Sequence, residues 1–118
     1  MYTILWEFRV PPERRAAYEM AYGPQGPWAQ LFRKANGLIG VELLRCTEQA
    51  GRYVTIDRWR SRADFEAFKR DFGADYAALD RQLEGMADSE TRIGAFDAAA
   101  ASCRHAGGWS PLRAQRSQ

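Results

Sequence analysis

The chain has 118 residues, of which 46% are hydrophobic and 27% charged, with 17 Lys+Arg against 15 Asp+Glu and one His. This length suits one domain whose core needs neither a disulfide nor a metal, and the composition excludes a disordered chain. The formal charge of +2 is local: residues 98–118 hold Arg104, Arg113 and Arg116 and no acid, leaving residues 1–97 with 14 bases against 15 acids.

Tyr2, Ile4, Trp6, Phe8 and Val10 alternate with Thr3, Glu7 and Arg9, the period of a strand with one buried face. Pro11-Pro12 ends it and Pro12 suits a first helical turn. Ala17, Met20 and Ala21 supply the apolar side of that helix, flanked by Tyr18 and Tyr22. Gly23-Pro24-Gln25-Gly26-Pro27 interrupts it, and a second segment from Trp28 to Ala35 stops at Asn36-Gly37. Leu38 to Thr47 is apolar on both sides for much of its length, which predicts a strand covered on each face. After the turn at Glu48–Gly51, Arg52 to Arg60 alternates, with Val54 and Ile56 on one side and Tyr53, Thr55, Asp57 and Trp59 on the other.

Ser61-x-x-Asp64 opens the next helix in the manner of a capping box. Phe65, Phe68, Phe72, Tyr76, Leu79 and Leu83 then recur at the helical period of about 3.6, in register across Gly73, where a bend or brief break is expected. Thr91, Ile93 and Ala95 alternate with Arg92, Gly94 and Phe96 as a last strand. From Ala98 onward no period is sustained, so a domain over residues 1–97 and a mobile or partner-contacting basic tail over 98–118 are expected.

The N-terminal run MYTILWEFRV has neither the basic flank nor the cleavage site of a signal peptide, and no apolar run approaches the roughly 20 residues of a membrane helix. Cys46 and Cys103 with His105 fall short of a zinc site and read as thiols in a reducing, cytoplasmic setting. Phosphate-binding glycine loops and the common hydrolase and metalloprotease motifs are missing. Arg58, Arg60 and Arg62 straddle a strand end and a helix start beside Asp57 and Asp64, which makes a solvated surface rather than a nucleic-acid face. No cofactor, nucleic-acid partner or membrane partner is expected.

Strand, helix, strand, strand, helix, strand is a repeated split β-α-β unit, hence a ferredoxin-like α+β fold with an antiparallel sheet and helices on one face. Apolar residues on the other face call for a cover, and a homodimer supplies one.

The runs Tyr22-Gly23-Pro24-x-Gly26-x-Trp28-Ala29-x-Leu31-Phe32-Arg33, Gly37-Leu38-x-Gly40-x-Glu42-Leu43-Leu44-Arg45 and Arg52-Tyr53-x-Thr55-Ile56-Asp57-Arg58-Trp59-x-Ser61 resemble the antibiotic biosynthesis monooxygenase (ABM) family. So do Phe65-x-Ala67-Phe68 and Tyr76-Ala77-Ala78-Leu79-Asp80, and the likeness spans roughly residues 2–97. It implies a dimeric α+β barrel with a pocket between sheet and helices in each subunit. Some members of that family oxidise aromatic polyketides without metal or flavin, related ones cleave heme, and others have no established activity. The resemblance sets Trp59 at an aromatic position bordering the pocket and Asp57 where relatives often carry Glu. Many relatives have a His nine residues after the Trp. Here that residue is Phe68, so the imidazole suited to proton transfer near neutral pH is absent.

On this reading Asp57 accepts a proton beside Trp59, and Trp6, Tyr53, Phe68, Tyr76, Trp28 and Arg92 bind the substrate. Tyr22, Tyr53 and Tyr76 are candidate hydrogen-bond donors to it, and Trp28 closes one end of a cavity. The plainer alternatives are a structural Asp57 paired with an arginine such as Arg92, a core Trp59, and a Gly-Pro segment that merely joins two helices. Two functions follow. One is an ABM-type oxygenase acting with O2 on a small aromatic or polyketide-like compound. The other is a non-catalytic dimeric module of the same fold that binds a small apolar or aromatic ligand.

Overall fold

The computed structural model describes residues 1–100. Cys103, His105, Trp109 and nearly all of the expected tail lie outside the described residues. Strands β1 (Tyr2–Arg9), β2 (Leu38–Arg45), β3 (Arg52–Trp59) and β4 (Ser89–Asp97) form one sheet in the order β2-β3-β1-β4. Every adjacent pair is antiparallel. Helices α1 (Arg15–Tyr22) and α2 (Pro27–Phe32) connect β1 to β2, and α3 (Arg62–Gln82) connects β3 to β4. This is the ferredoxin-like α+β architecture, with the first strand of each repeated unit, β1 and β3, paired at the centre. No helix of the described residues is long and apolar enough to cross a membrane.

Local chemistry sets the elements. Pro11-Pro12 stops β1, and Pro12–Arg14 makes one 3-10 turn before α1. On α1 the buried residues are Tyr18 and Ala21, while Met20 is 77% exposed and Ala17 also faces solvent. The expected apolar side is therefore rotated. The reason is aromatic: Tyr18 packs on Phe8 (ring centroids 5.4 Å apart), Tyr53 (4.7 Å) and Tyr22 (4.4 Å), and large rings gain more from burial and ring contact than a flexible thioether does. Pro27 occupies the start of α2, whose inner face is Trp28, Ala29, Leu31 and Phe32. The preceding Gly26 has no substitute: a Cβ there would collide with the backbone carbonyls of Met20 and Ala21. The helix ends at Phe32, and Lys34 and Ala35 continue as tight turns donating to Leu31 and Phe32.

Strand β2 departs from expectation. It is an edge strand, not one covered on both faces, and Ile39 and Leu44 are exposed. A register shift between Leu38 and Gly40 leaves Ile39 outside the regular pairing with β3.

Helix α3 follows its sequence period closely. Ser61 accepts a hydrogen bond from the Asp64 backbone N–H at 3.1 Å as the N-cap. The expected break falls at Phe72, whose φ of −121° and ψ of 18° lie outside the helical range, one residue before Gly73. The stripe from Phe65 to Leu83 nevertheless stays on one core cluster.

The layer between sheet and helices holds two clusters. Ile4, Trp28, Leu31, Phe32, Trp59 and Phe68 form the first; Phe8, Val10, Tyr18 and Tyr53 form the second. Trp6 and Tyr22 pack against both. Strand alternation explains the division. The helix-facing row of β1 places Ile4 in one cluster and Phe8 in the other with Trp6 between them, and β3 does the same with Trp59 and Tyr53 around Asp57 and Thr55.

Replacing Ser61 by Ala removes the α3 cap and is expected to cost about 1 kcal/mol of stability, visible as a lower urea midpoint at unchanged slope.

Candidate functional site

A half-open cavity of about 150 Å³ lies at the seam between the two clusters. Its floor is the middle of the sheet: Trp6 and Phe8 from β1, Val41 and Glu42 from β2, Thr55 and Asp57 from β3, and Glu90 from β4. Its roof comes from the helices, with Tyr22 of α1, Trp28, Ala29 and Phe32 of α2, and Tyr76 and Asp80 of α3. Trp28 and Tyr76 meet edge to face with ring centroids 5.0 Å apart. The indole N–H of Trp28 sits near the Tyr22 hydroxyl but short of hydrogen-bond geometry, and this buried donor has no acceptor among the described residues.

Of the residues read from the sequence, Asp57, Trp6, Trp28 and Tyr76 come together on this wall. Trp59 and Phe68 lie in the core beside it, 0% and 1% exposed, with ring centroids 5.1 Å apart. Tyr53 is buried in the other cluster, where its hydroxyl donates to Glu19 at 2.5 Å and Arg45 donates to the same carboxylate at 2.8 Å. Arg92 stands opposite Trp6 on β4, exposed and off the cavity wall. Asp57 enters no ion pair among the described residues, with Arg92 or any other base.

Several wall residues lay outside that set. Thr55 shares its strand face with Asp57, and Asp80 follows Tyr76 by one helical turn, so their spacing was a usable signal. Glu90 was hidden. Strict alternation in β4 would put it on the side opposite Ala95, but the register against β1 shifts between Leu5 and Trp6. Ile93 is the extra residue of that bulge and is 47% exposed. The bulge carries Glu90 and Arg92 onto the helix-facing side.

Burial alone pushes the Asp57 carboxyl up to about 7, because desolvation disfavours the charged form. What surface Asp57 keeps opens into the cavity. Tyr76 is pushed up to about 12, first by burial and then by Asp80, Asp57 and Glu90. Glu90 is raised by burial and by Asp80, and Tyr22 chiefly by burial.

The family model for antibiotic biosynthesis monooxygenases matches residues 1–71. The chain belongs to this family. ABM structures superpose on it as well. A Deinococcus radiodurans protein placed in the family is 14% identical with a TM-score of 0.70, covering 89% of this chain and 99% of that one. SnoaB, a cofactor-independent oxygenase from Streptomyces nogalater, is 19% identical with a TM-score of 0.63 over 85% and 94% of the two chains. MhuD, in a variant with two manganese protoporphyrin IX molecules per active site, is 18% identical with a TM-score of 0.66 over 88% and 100%. No curated protein sequence matches the chain.

This ABM cavity does not fit a porphyrin. Drug-sized ligands occupy about 300–1,000 Å³, against about 150 Å³ here, and the wall offers no imidazole, thiolate or thioether. Its four carboxylates would also oppose porphyrin propionates. Among the described residues no three acids, cysteines or histidines are grouped to hold a metal ion.

An unfolded Asp ionises near about 3.9, whereas folded Asp57 keeps its proton to about 7. Between those values the unfolded chain has released a proton that the folded chain retains, so this group's contribution to stability falls as pH rises and levels off above the window. Asp57→Asn removes that dependence. Its urea midpoint is expected to match wild type near pH ~4 and to exceed it increasingly up to pH ~8.

Proposed function

We propose that the chain is an oxygenase acting without metal or flavin on a small hydroxylated aromatic compound, with Asp57 as its proton acceptor. The observation that carries this reading is a buried, unpaired carboxyl, raised to about 7, on the wall of an aromatic cavity. A general base works best with a pKa near the operating pH, and the wall has no imidazole to compete for the role. The volume suits one ring: a cavity of about 150 Å³ is enough for benzene.

The chemistry balances without a cofactor. Asp57 takes the phenolic proton, and the phenolate gives electrons to O2 to form a ring-carbon peroxide, which Asp57 reprotonates. The carboxylate then removes the hydrogen on that carbon while the O–O bond breaks, and it returns the proton to the departing hydroxide. The phenol loses four electrons in total. One oxygen atom becomes a quinone carbonyl and the other leaves as water. The likeness to SnoaB in fold supports this reading.

Oxygen uptake with a panel of single-ring phenols is the test. Asp57→Asn is expected to lower the rate by about a hundredfold or more, and the wild-type rate should rise with pH through about 7 as Asp57 ionises. Unchanged uptake in Asp57→Asn removes the carboxylate from the reaction. No uptake with any phenol favours the second reading, a non-catalytic ligand-binding module, which the replacement of the expected His by buried Phe68 supports.

We also propose a homodimer formed through the sheet face opposite the helices. Leu5, Leu44, Val54, Ile56 and Phe96 share that face by register, and Leu44 and Phe96 are 42% and 48% exposed. An apolar face of this kind is usually buried between subunits. Sedimentation is expected to give twice the chain mass for wild type and the chain mass for Ile56→Glu.

A further inference from the structure

The cavity wall has a charge pattern that the proton-transfer role of Asp57 does not use. Four of its thirteen lining residues are carboxylates, Glu42, Asp57, Asp80 and Glu90, and none is basic. Six ion pairs occur among the described residues, and their acids are Glu7, Glu19, Glu42, Asp64 and Glu66. Of the four cavity acids, Glu42 is held by Arg58, and the other three, Asp57, Asp80 and Glu90, take part in none. Asp57 has no hydrogen-bond partner there either, although protein encloses it on nearly every side and its remaining surface opens into the cavity. The three are not grouped closely enough to chelate a metal, so a metal ion is not what they await.

The remaining wall is aromatic. Trp6, Tyr22, Trp28 and Tyr76 surround the same space, and the faces of such rings attract cations. Tyr76 already shows this: the Lys69 ammonium lies 3.9 Å from its ring centroid. The titratable groups facing Asp57 are Tyr18 and Tyr22 from α1 and Tyr76 and Asp80 from α3 across the layer, with Glu90 of β4 beside it on the sheet. The nearby cations, Lys69 on α3 and Arg92 on β4, are not part of the wall.

We infer that the cavity takes an aromatic ligand bearing a cationic nitrogen, its ring held between Trp6 and Trp28 and its ammonium toward Asp80 and Glu90 at the mouth. This rests on the oxygenase reading for the ring's chemistry but not for its binding. A protonated amine supplies the charge that the wall lacks, while Asp57 is left facing the ring.

The test is calorimetric titration of the full chain, at pH about 8, with three para-substituted phenols of similar size. These are the aminoethyl compound (ammonium), the propyl compound (neutral) and the propanoate (anion). The ammonium compound is expected to bind at least about tenfold more tightly than the neutral one, and the anion not measurably. In the Asp80→Asn/Glu90→Gln double variant the ammonium-to-neutral ratio should fall to about twofold or less. Both side chains are exposed enough for the fold to tolerate the changes, and the neutral phenol serves as the internal control. Equal or tighter binding of the neutral compound, binding by none of the three, or a ratio unchanged in the double variant overturns the inference. Oxygen uptake with the same compounds separates the two readings. Ammonium preference without uptake removes the oxygenase and keeps this inference, and uptake confined to neutral phenols does the reverse.

Discussion

The alternation of β3 places a carboxylate in a row of buried rings. Tyr53, Thr55, Asp57 and Trp59 share the helix-facing side, and a regular strand with no bulge between these residues cannot turn one of them outward without turning all four. Trp59 and Tyr53 are each committed to a core cluster, 0% and 2% exposed, so Asp57 is carried inward with them. Its desolvation follows from this placement. So does the cavity, because the two clusters cannot close over a short Thr and an Asp as they close over rings. Trp6 and Tyr22 span the gap but do not fill it.

Much of the fold was legible because it rests on periodicity. The stripe of α3 ran through a real break at Phe72, since the pattern reports which residues face the core and not the continuity of the hydrogen bonds between them. The errors came where packing overrode local pattern. Met20 lost the inner face of α1 to two tyrosines, whose partners Phe8 and Tyr53 are remote in sequence. Apolar composition in β2 suggested cover on both sides, but composition does not say which strand is the edge. The bulge in β4 reversed the facing of Glu90, and nothing in its neighbours announces an inserted residue.

The site was read in part for a related reason. The sequence identified residues on the inner side of the sheet and helices, and Trp6, Trp28, Asp57 and Tyr76 among them do meet. It did not say where along that layer the packing leaves space. Of the positions marked by resemblance, Asp57 is on the cavity wall, whereas Trp59 and Phe68 belong to the filled end. Phe68 sits within 5.2 Å of Phe32 and 5.6 Å of Phe72, centroid to centroid. A phenyl ring there completes the core where an imidazole would have brought a titrating group. The unpaired carboxyl groups Asp57, Asp80 and Glu90 are at the seam instead.

The division of the core also bears on how such a chain changes over generations. Residues inside either cluster are tied to many neighbours, and most replacements there forfeit folding free energy. Val41, Thr55, Asp80 and Glu90 border the seam and belong to neither cluster's buried set. Exchanging them redraws the charge and shape of the cavity at little cost to the scaffold. A fold assembled from two cores with a gap between them keeps its mutable positions and its ligand-facing positions in the same place. That is a physical route by which one architecture acquires many chemistries.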